Sequence, residues 1–226
     1  MRTIDLKRRQ GLGQKLLDTP PGKDGAMHPY QLLGYVQKTL KEDAIVVADG
    51  GAFLSFSRIA LPGGAYLDCG PFGCLGVGVP FGIASALAFP QRQVVVVSGD
   101  GSFGFNAIEL DTCRRHNARV VFIVANNGGW NIERNDQIQA YGGRIVGTEL
   151  EGCDYAGLAR SLGVHGERIE RPEDLTDAIK RAFDSAPAVL DVTVTRDATS
   201  PDAMAGIPGI PDRQALSTWD EMEQSG

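Results

Sequence analysis

Two apolar runs constrain this chain more than anything else in it: VVVV at residues 94–97 and RVVFIVA at 119–125, which is uninterrupted after its leading Arg119. A strand with one wet face alternates apolar and polar residues, whereas a strand covered on both faces is apolar throughout. β-branched runs without alternation therefore predict central parallel strands packed beneath helices on either side. The remaining runs fit the same plan. AIVVA (44–48) reads as a further buried strand and AYLDC (65–69) as a weaker one, and VHGERI (164–169) and AVLDVTV (188–194) complete the count at about six. Residues 172–184 place Leu175, Ala178, Ile179, Ala182 and Phe183 at helical spacing, with acids in the first turn and Lys180 and Arg181 near the end, as the helix dipole favours. Pro29 suits the first turn of a helix from His28-Pro29 to about Leu40. Strands alternating with helices of this length predict an α/β fold, a doubly wound, mainly parallel six-stranded sheet with helices on both faces.

The rest of the sequence bounds the function. Residues 28–198 read as one domain; 1–27, polar and carrying Thr19-Pro20-Pro21-Gly22, read as a leader or linker. Residues 199–226, rich in Pro and Gly, read as an extended tail and a candidate lid, with one helical turn near Trp219. A net charge of −6 argues against a nucleic-acid partner. No apolar run reaches the ~18 residues of a membrane span, and the N-terminus lacks the apolar centre of a signal peptide. Cys69, Cys74, Cys113 and Cys153 form no CxxC pair, and with only three histidines a zinc site is not expected. The thiols are expected to be reduced, mostly buried small hydrophobes, which fits a cytoplasmic location.

In an open parallel sheet, ligands sit beyond the carboxyl ends of the strands. Two such ends stand out: Ser98-Gly99-Asp100-Gly101-Ser102 after VVVV, and Asn126-Asn127-Gly128-Gly129 after RVVFIVA. Each alone reads more readily as turn punctuation. Their spacing, however, fits a turn, a returning helix of about 12 residues and the next strand. Neighbouring strands lie ~4.8 Å apart, so Asp100 and Asn127 would face one small volume. Oxygen donors without sulfur or imidazole suit Mg²⁺ or Ca²⁺, and Mg²⁺ in such sites takes further oxygens from phosphates. The pair points to a cation-bridged diphosphate site.

At these residues the sequence resembles a known family. GDGSFGFNAIEL followed by VVFIVANNGGW is similar to the cofactor motif of thiamine diphosphate enzymes, in their diphosphate-binding domain. AIVVADGG and GPFGCLGVGVPFGIASALAFPQRQVVVVSGDG extend the likeness to about residues 28–200. The nearest resemblance is to the acetolactate synthase group, particularly its 2-hydroxyacyl-CoA lyase and oxalyl-CoA decarboxylase branch. The resemblance implies that Asp100, the side-chain oxygen of Asn127 and the carbonyl of Gly129 hold Mg²⁺. It implies that Gly101 and Ser102 donate to the diphosphate of thiamine diphosphate, with the turn Asp49-Gly50-Gly51-Ala52 on its other side. Gly73 would offer its carbonyl to the aminopyrimidine, Leu75 would wedge the cofactor into a bent form, and Trp130 and Ile132 would line the site.

The family also needs a glutamate on the pyrimidine ring, carried on a separate pyrimidine-binding domain. This chain shows no such domain, so no catalytic residue is assigned within it. A split enzyme is expected, a hetero-oligomer such as α2β2 whose partner subunit brings the glutamate; the other reading is a truncated piece of a longer enzyme. Substrates by resemblance are 2-oxo acids or 2-hydroxyacyl-CoA thioesters. Two rivals remain: a nicotinamide-dependent oxidoreductase, against which stands the lack of a GxGxxG after the first strand, and a non-catalytic regulatory subunit keeping the fold. Glu109, mid-helix after the GDG turn, could be taken for the missing glutamate but reads as a helix-surface or inter-subunit residue, His116 as a helix cap, and His28 and His165 as surface or boundary residues. Arg134, Asp136 and Gln137 could touch a substrate or simply be solvated.

Overall fold

The structure is a computed structural model and describes residues 13–61, 65–201 and 203. Its centre is a sheet of β1 (Ile45–Asp49), β2 (Ala65–Leu67), β3 (Val94–Gly99), β4 (Val120–Asn126), β5 (His165–Ile169) and β6 (Ala188–Thr193). All pairings are parallel, in the order β2-β1-β3-β4-β6-β5. The uninterrupted apolar runs become β3 and β4, in the middle, where every residue of β4 is buried. The edge strand β2 is only three residues long and half-exposed, shorter than the five expected.

Helices cover both faces, as the pattern requires. On one face lie α1 (Pro29–Thr39), α2 (Ala52–Ala60) and, later in the chain, α8 (Leu175–Asp184), which bury Leu32, Phe56 and Ile179 against Val95, Ile123 and Leu190. The other face carries α3 (Gly78–Ala88), α4 (Asp100–Asn106), α5 (Leu110–Arg115) and α7 (Tyr155–Ser161); Ile83, Phe103 and Leu110 pack there on Val96, Phe122 and Val189. Successive residues of each central strand thus enter opposite cores. α6 (Asn131–Ala140) lies beyond the end of β4. Close approach of α3 depends on Gly82, where an added Cβ would lie 2.4 Å from Val96 Cγ2.

Three expectations are corrected. The returning segment after β3 is not one helix of about 12 residues: α4 begins at Asp100 itself, and a 3₁₀ turn over Ala107–Glu109 separates it from α5. Order also begins before His28. Residues 13–17 are helical, Leu16 is buried, and Met27 pairs with Val194, so residues 13–27 dock on the domain instead of linking it. Gly34 on α1 makes room for this, since a Cβ there would lie 3.1 Å from Leu16. Finally, the thiols are all free but not mostly buried: Cys113 is buried, Cys69 half-buried, and Cys74 and Cys153 exposed. The tail beyond residue 203, including Trp219 and the candidate lid, lies outside the described residues, as do residues 1–12.

Candidate cofactor-binding site

β1 and β3 are neighbours, yet the chain leaves β1 toward the edge strand β2 and returns to β3. Connections that diverge in this way leave a crevice at the carboxyl ends of the strands. A cleft opens there, lined by the segments after β1, β3 and β4. The register sets Gly99 beside Ala125, which brings the two loop motifs together.

Asp100 is 3% exposed although it carries a carboxylate. Its Oδ2 accepts from the Gly129 N–H at 3.1 Å, a direct bond between the two motifs. Burial pushes its carboxyl up to about 6, against the opposing pull of main-chain N–H groups at Gly101, Gly129 and Gly128. The Asn127 Oδ1 atom is also buried and has no hydrogen-bond partner. Buried acceptors left unpaired cost ~1–3 kcal/mol, so an orphan beside a buried carboxylate marks a place built for a donor or a cation. Among the described residues no cluster of three or more His, Cys, Asp or Glu is placed to hold a metal. A cation here would rely on Asp100 and neutral oxygens.

Of the residues singled out in the sequence, Gly50, Gly51, Ala52, Leu75, Asp100, Gly101, Ser102, Asn127, Gly129, Trp130 and Ile132 all line the cleft. Two do not. Asp49 is the last residue of β1, paired with Ser98, because the strand runs one residue further than its apolar run. Its carboxylate is spent on the N–H groups of Gly50, Gly76 and Gly78 at 2.7, 3.3 and 2.7 Å, tying β1 to the start of α3. Gly73 is exposed, at φ +63° after a 3₁₀ turn, and lies outside the lining. The Ser102 hydroxyl is bound to Ser98 Oγ at 2.9 Å and Gly99 O at 3.0 Å, leaving its main chain for a ligand.

Glycine permits close packing around the cleft. A Cβ on Gly101 would lie 2.6 Å from the Trp130 ring, and one on Gly51 2.8 Å from Ile132. Pro29, Phe53, Phe56, Asn131, Glu133 and Val194 also line the cleft and were not anticipated. A supporting network was missed as well. Asp191, fully buried, accepts from Asn126 Nδ2 at 2.9 Å and Tyr155 N at 3.0 Å, and the Tyr155 hydroxyl donates to Asp100 O at 2.7 Å. Residues 148–150 pair with the loop through Trp130 N to Thr148 O and Leu150 N to Gly128 O. No local signal marks these contacts, because the partners lie tens of residues apart.

The other polar residues lie outside the lining of the cleft. Arg134 lies 3.7 Å from Glu149, and Gln137 bonds both the N–H and the carbonyl of Val146, so both hold the 141–150 segment. Asp136 is half-buried on α6. Glu109 Oε2 accepts from Thr112, His116 stands at the C-cap of α5, and His28 caps α1 by accepting from Tyr30 N. His165 is half-buried at the start of β5.

Fold and cleft together define a doubly wound α/β domain with an oxygen-donor pocket at its switch point. The chain belongs to the family described as thiamine pyrophosphate enzyme, C-terminal TPP binding domain, whose pattern matches residues 50–192. It is 42% identical over 170 residues to the acetolactate synthase large subunit IlvG of Mycobacterium tuberculosis, covering 74% of this chain and 31% of that protein. It is 37% identical over 169 residues to 2-hydroxyacyl-CoA lyase 2 of Caenorhabditis elegans, covering 74% and 26%. Sulfoacetaldehyde acetyltransferase of Castellaniella defragrans is 32% identical over 184 residues, covering 77% and 31%. The chain thus spans about a third of the length of the curated relatives it matches.

Proposed function

We propose that this domain is the diphosphate-binding subunit of a split thiamine diphosphate-dependent carbon–carbon lyase, ligase or decarboxylase. Its substrates are 2-oxo acids or 2-hydroxyacyl-CoA thioesters, and a partner subunit supplies the pyrimidine-binding domain and its glutamate. The observation that carries this reading is the unpartnered, buried Asn127 Oδ1 in the same glycine-lined cleft as the buried carboxylate of Asp100.

The donor set fits Mg²⁺, which prefers a carboxylate and neutral oxygens and takes the rest of its shell from phosphates. Asp100, Asn127 Oδ1 and the Gly129 carbonyl would hold it. A diphosphate beside Asp100 sets like charges together, about 4 kcal/mol per pair at 4 Å and an effective dielectric of 20, and a divalent cation reverses that sign. Gly101 and Ser102 would offer main-chain N–H groups to the diphosphate, with Gly50, Gly51 and Ala52 opposite. Leu75, Trp130 and Ile132 provide apolar walls that exclude water. Thiamine diphosphate supplies the electron sink for bond breaking next to a carbonyl; the protein's part is to bind, orient and shield.

The reading is tested by titrating thiamine diphosphate calorimetrically into the assembled protein with and without Mg²⁺. Binding should require the metal and vanish in Asp100→Ala; unchanged affinity in that variant would overturn the assignment. Identifying the protein that co-purifies tests the partner. Metal-dependent turnover by this chain alone would count against a split site.

A further inference from the structure

The loop that carries Asn127 is gripped by a residue four positions beyond the end of the family match at 192. We infer that Arg196 is a positioning residue for the cation site, setting metal affinity by fixing the main chain of residues 127–128. The inference rests on the reading of the cleft given above.

The Arg196 guanidinium donates from Nε to the Asn127 carbonyl and from Nη2 to the Gly128 carbonyl, while Nη1 pairs with Glu149. A planar fork with fixed N–H directions holds two successive carbonyls in one relative orientation, which the single ammonium of lysine does not. Gly128 has φ +65°, the left-handed turn that glycine adopts readily. On the other side, Gly128 N donates to Asn126 Oδ1 at 3.2 Å and Gly129 N to Asp100 Oδ2 at 3.1 Å. The loop main chain is therefore clamped from both sides, and the Asn127 side-chain oxygen is the buried acceptor left over.

Arg196 is itself well anchored. Val194 N donates to Asn126 O at 3.0 Å, Thr195 N to Met27 O at 2.9 Å, and Lys23 N to Asp197 Oδ2 at 2.9 Å. Without the guanidinium, a loop containing two consecutive glycines is free to leave the conformation that aims Asn127 into the cleft. Apparent affinity falls in proportion to the fraction of molecules still holding that conformation. Glu149 offsets the positive charge of Arg196, so the clamp does not repel an incoming cation. The pair is partly exposed, with side chains 34% and 47% accessible, and exposed pairs contribute little to global stability. The fold should therefore survive its loss.

The test is a Mn²⁺ titration of the full chain assembled with its co-purifying partner, at a fixed concentration of thiamine diphosphate, with free Mn²⁺ read by electron paramagnetic resonance. Arg196→Ala should raise the half-saturating Mn²⁺ concentration tenfold or more, with a cofactor-free melting temperature close to wild type. Arg196→Lys, which restores charge but not the fork, should recover part of the loss. Asp100→Asn serves as the control for the site. If Arg196→Ala titrates like wild type while Asp100→Asn does not, the clamp is refuted and the cation site stands. If both titrate like wild type, the reading of the cleft fails and the clamp falls with it.

Discussion

Asp100→Asn should make the cofactor-free domain more stable at neutral pH. The wild-type carboxylate is buried, and desolvation lifts it from the ordinary 3.8 to about 6. A group whose carboxyl is raised on folding binds more protons folded than unfolded between those two values. Stability therefore falls as pH rises from 3.8 to about 6 and stays at its reduced level above that. At ~1.4 kcal/mol per pH unit, the full penalty is about 3 kcal/mol. The amide removes the charge but weakens acceptance from the Gly129 N–H, a loss of about 1 kcal/mol. A net gain of about 2 kcal/mol remains, or roughly 4–8 °C in melting temperature for a chain of this size. The assay is thermal unfolding of both proteins in EDTA at pH 4.5 and 7.5. The gain should be full at pH 7.5 and shrink sharply at pH 4.5. A variant melting below wild type at pH 7.5, or one equally stabilised at both values, would refute the reasoning, since neither outcome follows from relief of a buried charge.

Gly82→Ala should lose about 1–2 kcal/mol in urea unfolding: helix propensity gains ~1 kcal/mol, but overpacking of a Cβ placed 2.4 Å from Val96 outweighs it. Equal or greater stability would mean that α3 can lift from the sheet without cost. Cys74, exposed, should react quickly with a thiol reagent in the native protein, and Cys153, exposed but with its thiol pushed up by partial burial and nearby carboxylates, more slowly. Cys113, buried, with its thiol pushed up to about 12 and directed at Ala118 O, should stay silent until the chain unfolds. Fast labelling of Cys113 would place it wrongly.

Much of the fold was legible because its signals are local. The runs at 94–97 and 120–125 lack any polar residue, and only a strand covered on both faces tolerates that. The ends were less legible. Asp49 follows an apolar run yet still belongs to β1, because pairing with Ser98 extends the strand beyond its hydrophobic stretch. Residues 13–27 read as polar connector, but a few apolar anchors, Leu16 and Met27 among them, suffice to dock them. The thiols were misjudged for a similar reason: cysteine is apolar enough for a core, and only the path of the loops decides that Cys74 and Cys153 face water.

The cleft divides along the same line. Asp100, Asn127 and the glycines around them follow directly after buried strands, so position along the chain was enough to bring them to one end of the sheet. Asp49 shows the limit, since the same position served to brace α3 through Gly76 and Gly78 instead of lining the cleft. Periodicity and turn chemistry act over a few residues, and they determined the layers, the parallel sheet and the two loop tips. The grip of Arg196 on Asn127, of Asp191 on Asn126 and of Tyr155 on Asp100 joins residues 55 to 69 positions apart. Such contacts exist only once packing has brought distant segments together, and so the tertiary structure alone decided how firmly the loops are held.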